Sequence, residues 1–195
     1  MSFVTKFSDL DLSKTYTYSD YLMFTFSERV ELIKGFILKM SPAPSRFHQE
    51  VSQNLSGCFY ENFKRKPSRV FVAPFDVRLP IQSAKKDSTV VQPDLCIICD
   101  EQKLDDKGCN GSPDLIVEII SPNNSKHDIH TKFNLYQEAG VLEYWIVDPS
   151  DKIVLVYTLR NNEYVGLAPL AEGSYIKSPL FPELNIALDD VFYRV

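Results

Sequence analysis

The chain is short of positive charge. Lys and Arg number 21 against 26 Asp and Glu, a net charge of −5, so no basic surface announces strong non-specific binding to nucleic acid. Long apolar runs are missing too, and none approaches the ~20 residues a membrane-spanning helix needs. The stretch from Met1 to Leu12 is polar and has no signal-peptide core, so the expected location is the cytoplasm. Cysteines number four and lack framework spacing, which fits a reducing compartment better than a disulfide scaffold. No internal repeat, low-complexity tract or interdomain linker interrupts the sequence. What is present is 195 residues, 44% apolar and 24% charged, enough for a real core and the size of one domain spanning 1–195.

Apolar periodicity predicts the elements. Tyr18 to Phe26 reads as a short helix ahead of a hairpin. In that hairpin Val30–Ile33 and Phe36–Leu38 flank Lys34-Gly35, where glycine takes positive φ. Ser41-Pro42-Ala43-Pro44 is a breaker. Phe47, Val51, Leu55, Cys58, Phe59 and Phe63 recur at three and four residues, an amphipathic helix from about Ser45 to Phe63. Val70–Leu79, Val90–Cys99 and Pro113–Ile120 read as three strands, with a polar loop at Ser83–Ser88. Lys126–Ala139 reads as a helix closed by Gly140. Val141–Val147 and Ile153–Leu159 follow around the turn at Asp148-Pro149-Ser150-Asp151, and more strand is expected from Tyr164 to Val195. The fold class is therefore α/β: an αβββαβ core over about 28–159 with a central mixed sheet flanked by helices, an N-terminal hairpin and C-terminal strands.

Glu118 is the sharpest anomaly, a carboxylate inside the apolar run Leu115-Ile116-Val117-Glu118-Ile119-Ile120. An unpaired buried charge costs several kcal/mol, so it should be paired, protonated or bound to a metal. The plainer reading is an acid at a strand end that meets solvent. Asp94 and Asp114 could partner it. Asp114 shares its face, but four residues at ~3.3 Å each separate them by about 13 Å, too far for one Mg²⁺ held at ~2.1 Å. Asp94 on a neighbouring strand has no such limit, and Asp114 is left to the turn into the strand.

Lys132 lies about 60° from Ile129 on a helix whose core stripe is Ile129, Phe133 and Tyr136. From that border its ammonium can reach the sheet edge, although spacing alone favours a solvated lysine. Asp128, one turn earlier, could pair with it. His48 opens the first long helix, where surface or capping is the default. His127 and His130 stand three apart without a strong third ligand. Cys96 and Cys99 sit mid-strand and point to opposite faces, so they read as buried thiols.

Together these residues resemble a known family. Val91-Gln92-Pro93-Asp94-Leu95 and Ser112-Pro113-Asp114-Leu115-Ile116-Val117-Glu118-Ile119-Ile120-Ser121-Pro122 look like the Uma-two family of endonucleases, in the PD-(D/E)XK restriction-endonuclease-like superfamily. Asp128, Lys132, Tyr136 and the run Gly140-Val141-Leu142-Glu143-Tyr144-Trp145-Ile146-Val147-Asp148-Pro149 continue the match. So do Glu31 with Gly35, Ser41-Pro42 with His48-Gln49, and Ala73-Pro74-Phe75-Asp76-Val77. The resemblance implies a Mg²⁺-dependent nuclease core, Mn²⁺ being a possible substitute, with Asp94, Glu118 and the Ile119 carbonyl as metal ligands. The superfamily's usual lysine position, two residues after the acid, is Ile120 here, and the resemblance implies that Lys132 replaces it from the following helix.

Two functions compete. One is a metal-dependent endodeoxyribonuclease in which Lys132 positions water or stabilises phosphoryl charge, Glu31 is an accessory acid and His48 a weaker candidate, with DNA as substrate and a homodimer as its assembly. The other is a non-catalytic DNA- or protein-interaction module that keeps the fold. The acidic balance and the missing strand lysine favour the second. A redox role for the strand cysteines is a distant third.

Overall fold

The computed structural model describes residues 3–40, 44–121 and 126–195, the side chains of residues 126–128 excepted. Helix α1 (Tyr18–Tyr21) is capped reciprocally by Thr17 and Asp20, and stops short of the expected Phe26. The hairpin of β1 (Val30–Ile33) and β2 (Phe36–Lys39) falls where predicted. Lys34 (φ 52°) and Gly35 (φ 90°) are both left-handed at its turn, the type I′ geometry that matches strand twist.

Helix α2 (Arg46–Phe63) begins where the Ser45 hydroxyl accepts the His48 amide at 3.2 Å. Its buried stripe is His48, Val51, Leu55, Phe59 and Phe63. Phe47, assigned to that stripe from spacing, is instead 45% exposed, and the imidazole takes the first inward position. The breaker at residues 41–43 lies outside the described residues.

Two runs read as single strands are each two strands in different sheets. Val70–Leu79 divides into β3 (Arg69–Val72) and β4 (Val77–Arg78), and Val90–Cys99 into β5 (Val90–Val91) and β6 (Leu95–Ile98). The interruptions are prolines, which lack the amide a ladder needs. A small hairpin, β7 (Leu104–Asp105) and β8 (Gly108–Asn110), precedes β9 (Leu115–Ile119). It escaped the sequence reading because its strands are only two and three residues long. Then come α3 (Lys126–Ala139), β10 (Glu143–Asp148), β11 (Ile153–Arg160), β12 (Glu163–Gly166), β13 (Tyr175–Lys177), β14 (Asn185–Ala187) and α4 (Leu188–Val191). Gly140 closes α3 at φ 80°, as expected.

The central sheet runs β12-β11-β10-β9-β6-β3. Strands β3, β6 and β9 are antiparallel neighbours, and β10 joins β9 in parallel after the α3 crossover. The order α2-β3-β6-β9-α3-β10 is the expected αβββαβ core. The second sheet, β2-β1-β5-β4-β8-β7, exchanges chain with the first at each proline break.

Alternation sorts the central sheet into two cores. Leu95, Leu115, Val117, Trp145 and Val147 face α2 and the C-terminal segment. Cys96, Ile98, Ile116, Tyr144 and Ile146 face α3 and the second sheet. Phe181 caps the first core, edge-on to Phe63 at 5.0 Å, so the Leu180-Phe181-Pro182 segment serves the interior rather than presenting Phe181 to a second copy. Among the described residues no helix is long and apolar enough to cross a membrane.

Candidate active site

Register places the two principal acids. Leu95 pairs with Val117 and Cys96 with Ile116 across the antiparallel β6–β9 ladder. One further step sets Asp94, just before β6, opposite Glu118. Directly opposed residues share a face with Cβ atoms ~5 Å apart, and that face is the one α3 covers. Pro93 ends the run from the second sheet, so Asp94 stands where the chain crosses between sheets.

Lys132 reaches this face from α3. Its Nζ donates to Glu31 Oε1 at 2.7 Å and to Glu118 Oε1 at 3.0 Å, with Tyr136 Oη at 3.4 Å. Tyr136 donates to the same Glu118 Oε1 at 2.5 Å. Glu31, on β1 and 6% exposed, also accepts the Gln92 amide at 2.9 Å. The strand position that would carry a lysine is occupied by Ile120, half-buried against the α3-side core.

Asp94 is fixed by its other oxygen pattern. Its Oδ2 accepts the Ile119 amide at 2.8 Å and lies 3.3 Å from His48 Nε2. Asp94 Oδ1 and Glu118 Oε2 accept no hydrogen bond among the described residues. Both carboxylates are partly open, at 19% and 17% side-chain exposure. Two partly open carboxylates at directly opposed positions of neighbouring strands offer the hard oxygen donors that suit a small divalent cation keeping several waters. The described residues hold no ready-made group of three His, Cys, Asp or Glu around such an ion.

The electrostatics follow from crowding. Burial, with Asp94 and Glu31 adding to it against the pull of Lys132, pushes the Glu118 carboxyl up to about 7. Burial opposes the Lys132 ammonium, but Glu118 and Glu31 outweigh it and hold the group more firmly protonated than a free lysine. Burial and the carboxylates raise the Tyr136 hydroxyl well out of its ordinary range. At His48 burial works against the charge, yet Asp94, Glu118 and the Ile119 backbone together move its pKa upward.

The remaining candidates scatter. Asp114 Oδ2 accepts the Cys99 amide at 2.7 Å, a turn-closing role. Asp76 accepts from Gln92 Nε2 at 2.8 Å and Tyr21 at 3.2 Å, behind the cluster. His130 meets Asn134 at 2.9 Å on the exposed face of α3. The side chains of His127 and Asp128 lie outside the described residues. Cys96 is buried as expected, but Cys99 is exposed beside Ser68. Sequence reasoning missed Gln92 and the hydroxyl of Tyr136. The signal for the latter was its place one turn after Lys132, where the sequence reading put it in the core stripe and in the family resemblance without giving its hydroxyl a role.

An αβββαβ core in which an acid before the second strand faces an acid inside the third defines an α/β protein of the restriction-endonuclease-like class. The chain belongs to the Uma2 family, whose model, described as "Putative restriction endonuclease", matches residues 17–189. Among solved structures it is similar to a "putative nuclease belonging to DUF820" from Anabaena variabilis, with a TM-score of 0.72 and 20% identity over 91% of this chain and 97% of that one. No curated protein matches the sequence.

Proposed function

We propose that this chain is a Mg²⁺-dependent endonuclease, with Mn²⁺ as an alternative ion, that hydrolyses DNA phosphodiester bonds. The observation that carries the reading is Lys132, whose ammonium stands 3.0 Å from Glu118 while coming from α3 rather than from the strand. It restores the cation that Ile120 cannot supply. Asp94 Oδ1 and Glu118 Oε2 would hold the metal, with the Ile119 carbonyl as a third oxygen donor. The ion's chemistry there is Lewis-acid polarisation of a phosphoryl oxygen.

The protein's own groups do the rest. Lys132 meets the charge that develops on the phosphate or orients the attacking water, in a site partly removed from solvent where such charges act strongly. Glu31 serves as accessory acid by holding the ammonium, and Tyr136 fixes the bonded oxygen of Glu118. In the net reaction the hydroxyl of water ends on phosphorus and its proton on the leaving oxygen. Cutting both strands of a duplex is simplest with two symmetry-related sites, which a two-fold homodimer supplies; light scattering reads that assembly.

One observation favours the non-catalytic module instead: the Lys132 N–H groups are all engaged, by Glu31, Glu118 and Tyr136. A supercoiled-plasmid nicking assay with Mg²⁺, Mn²⁺ or EDTA, on wild type and Glu118→Ala, separates the two. Metal-dependent nicking lost in the variant supports the nuclease. No nicking by wild type under any condition moves the chain to the module.

A further inference from the structure

His48 is buried at 8% exposure and occupies the first inward position of α2, followed along the same stripe by Val51, Leu55, Phe59 and Phe63. An apolar side chain would fit that stripe without desolvating a polar ring. Half of the imidazole's hydrogen-bonding capacity is unused: Nδ1 is buried and has no hydrogen-bond partner among the described residues. Among those residues its one side-chain hydrogen bond is Nε2 with Asp94 Oδ2 at 3.3 Å. A ring buried with half its polar capacity unmet is poorly explained by stability, because an unpaired buried polar atom costs about 1–3 kcal/mol where a packed apolar group costs nothing. The contact with Asp94 is what remains to explain it.

That contact has a geometric consequence. With His48 and the Ile119 amide both on Oδ2, the Asp94 carboxylate cannot rotate freely, and Oδ1 is the oxygen left without a hydrogen bond among the described residues. The Ser45 cap fixes the first turn of α2, so the ring position is set by the helix start. We propose that His48 is a positioning residue that presents Asp94 through Oδ1 alone to the divalent cation, an inference that rests on the metal reading of this site.

The test is calorimetric binding of Mn²⁺ and Mg²⁺ to the 195-residue chain, alongside thermal melting of the metal-free protein. His48→Leu should bind either ion about 10- to 100-fold more weakly, the usual effect of losing a hydrogen-bond partner of a ligand. Its metal-free melting temperature should match or exceed that of wild type. His48→Gln, whose amide can reach the place of Nε2, should recover affinity to within about threefold of wild type. A merely structural histidine would give the reverse: lower melting temperature, and affinity unchanged in whatever protein stays folded. If His48→Leu binds as tightly as wild type, the inference is overturned while the metal site stands. If wild type binds neither ion, both fall together.

Discussion

Glu118, near the end of β9, and Glu143, at the start of the neighbouring β10, lie on opposite faces of the central sheet and in surroundings that differ in kind. Glu143 is fully buried and saturated by neutral donors: Trp145 Nε1 at 2.7 Å on one oxygen, Ser178 Oγ at 3.0 Å and the Leu180 amide at 2.9 Å on the other. It ties the C-terminal segment to the sheet. Glu118 has a lysine and a tyrosine on Oε1, a second acid opposite, and Oε2 open among the described residues. Burial raises the pKa of both. What separates the anchor from the candidate site is therefore not the direction of the pKa shift but what the carboxylate has left to give.

That distinction can be broken experimentally. The largest effect expected is on cleavage: Glu118→Gln should lower plasmid nicking about 100- to 1,000-fold, whereas Glu143→Gln should cut within about threefold of wild type once folded. Equal losses would erase the contrast. Next, Lys132→Met should lower nicking at least ~100-fold, about 2.7 kcal/mol of transition-state stabilisation. It also leaves Glu31 and Glu118 without their counter-ion, so melting should show a stability loss that Mg²⁺ repairs more in the variant than in wild type. Lys132→Arg should not restore full activity, because a planar fork differs from a compact charge. On the other side, Glu143→Leu strands three donors and should lose about 2–3 kcal/mol in urea unfolding, with Mg²⁺ affinity unchanged.

The smallest effect is a slope. Both acids hold their protons in the fold at pH values where the unfolded chain, with its glutamates near 4.5, has released them. Their contribution to stability is thus greatest below pH 4.5 and declines as pH rises, for Glu118 until about 7. Saturating Mg²⁺ should flatten the Glu118 part by displacing its proton, and Glu143→Gln should remove the other. Melts between about pH 5 and about pH 7 measure this. A slope indifferent to Mg²⁺ would disconnect Glu118 from the cation.

The two long helices, the hairpin and the anomaly at Glu118 were legible because each rests on local pattern: a 3.6-residue stripe, a turn glycine, a charge in an apolar run; the one-turn helix α4 fell in a stretch expected to be strand. The strand breaks at Pro74 and Pro93 were not, since apolar residues resume within two residues of each proline and only tertiary pairing shows that the chain changes sheet. The same limit hid Gln92 and Tyr136, whose polar atoms matter only once Glu31 and Glu118 are beside them. His48 was visible but ambiguous, as spacing had given its inward place to Phe47.

The cluster also has a timetable. Glu31 and Lys132, bonded at 2.7 Å, are 101 residues apart in sequence, and Glu31 belongs to the second sheet while Asp94 and Glu118 stand at the central one. Contacts of such separation form late, after the loops between them have closed. A chain still being synthesised, or one with either sheet unpaired, carries every one of these residues without the arrangement, so assembly of the whole fold is the step that would arm the site.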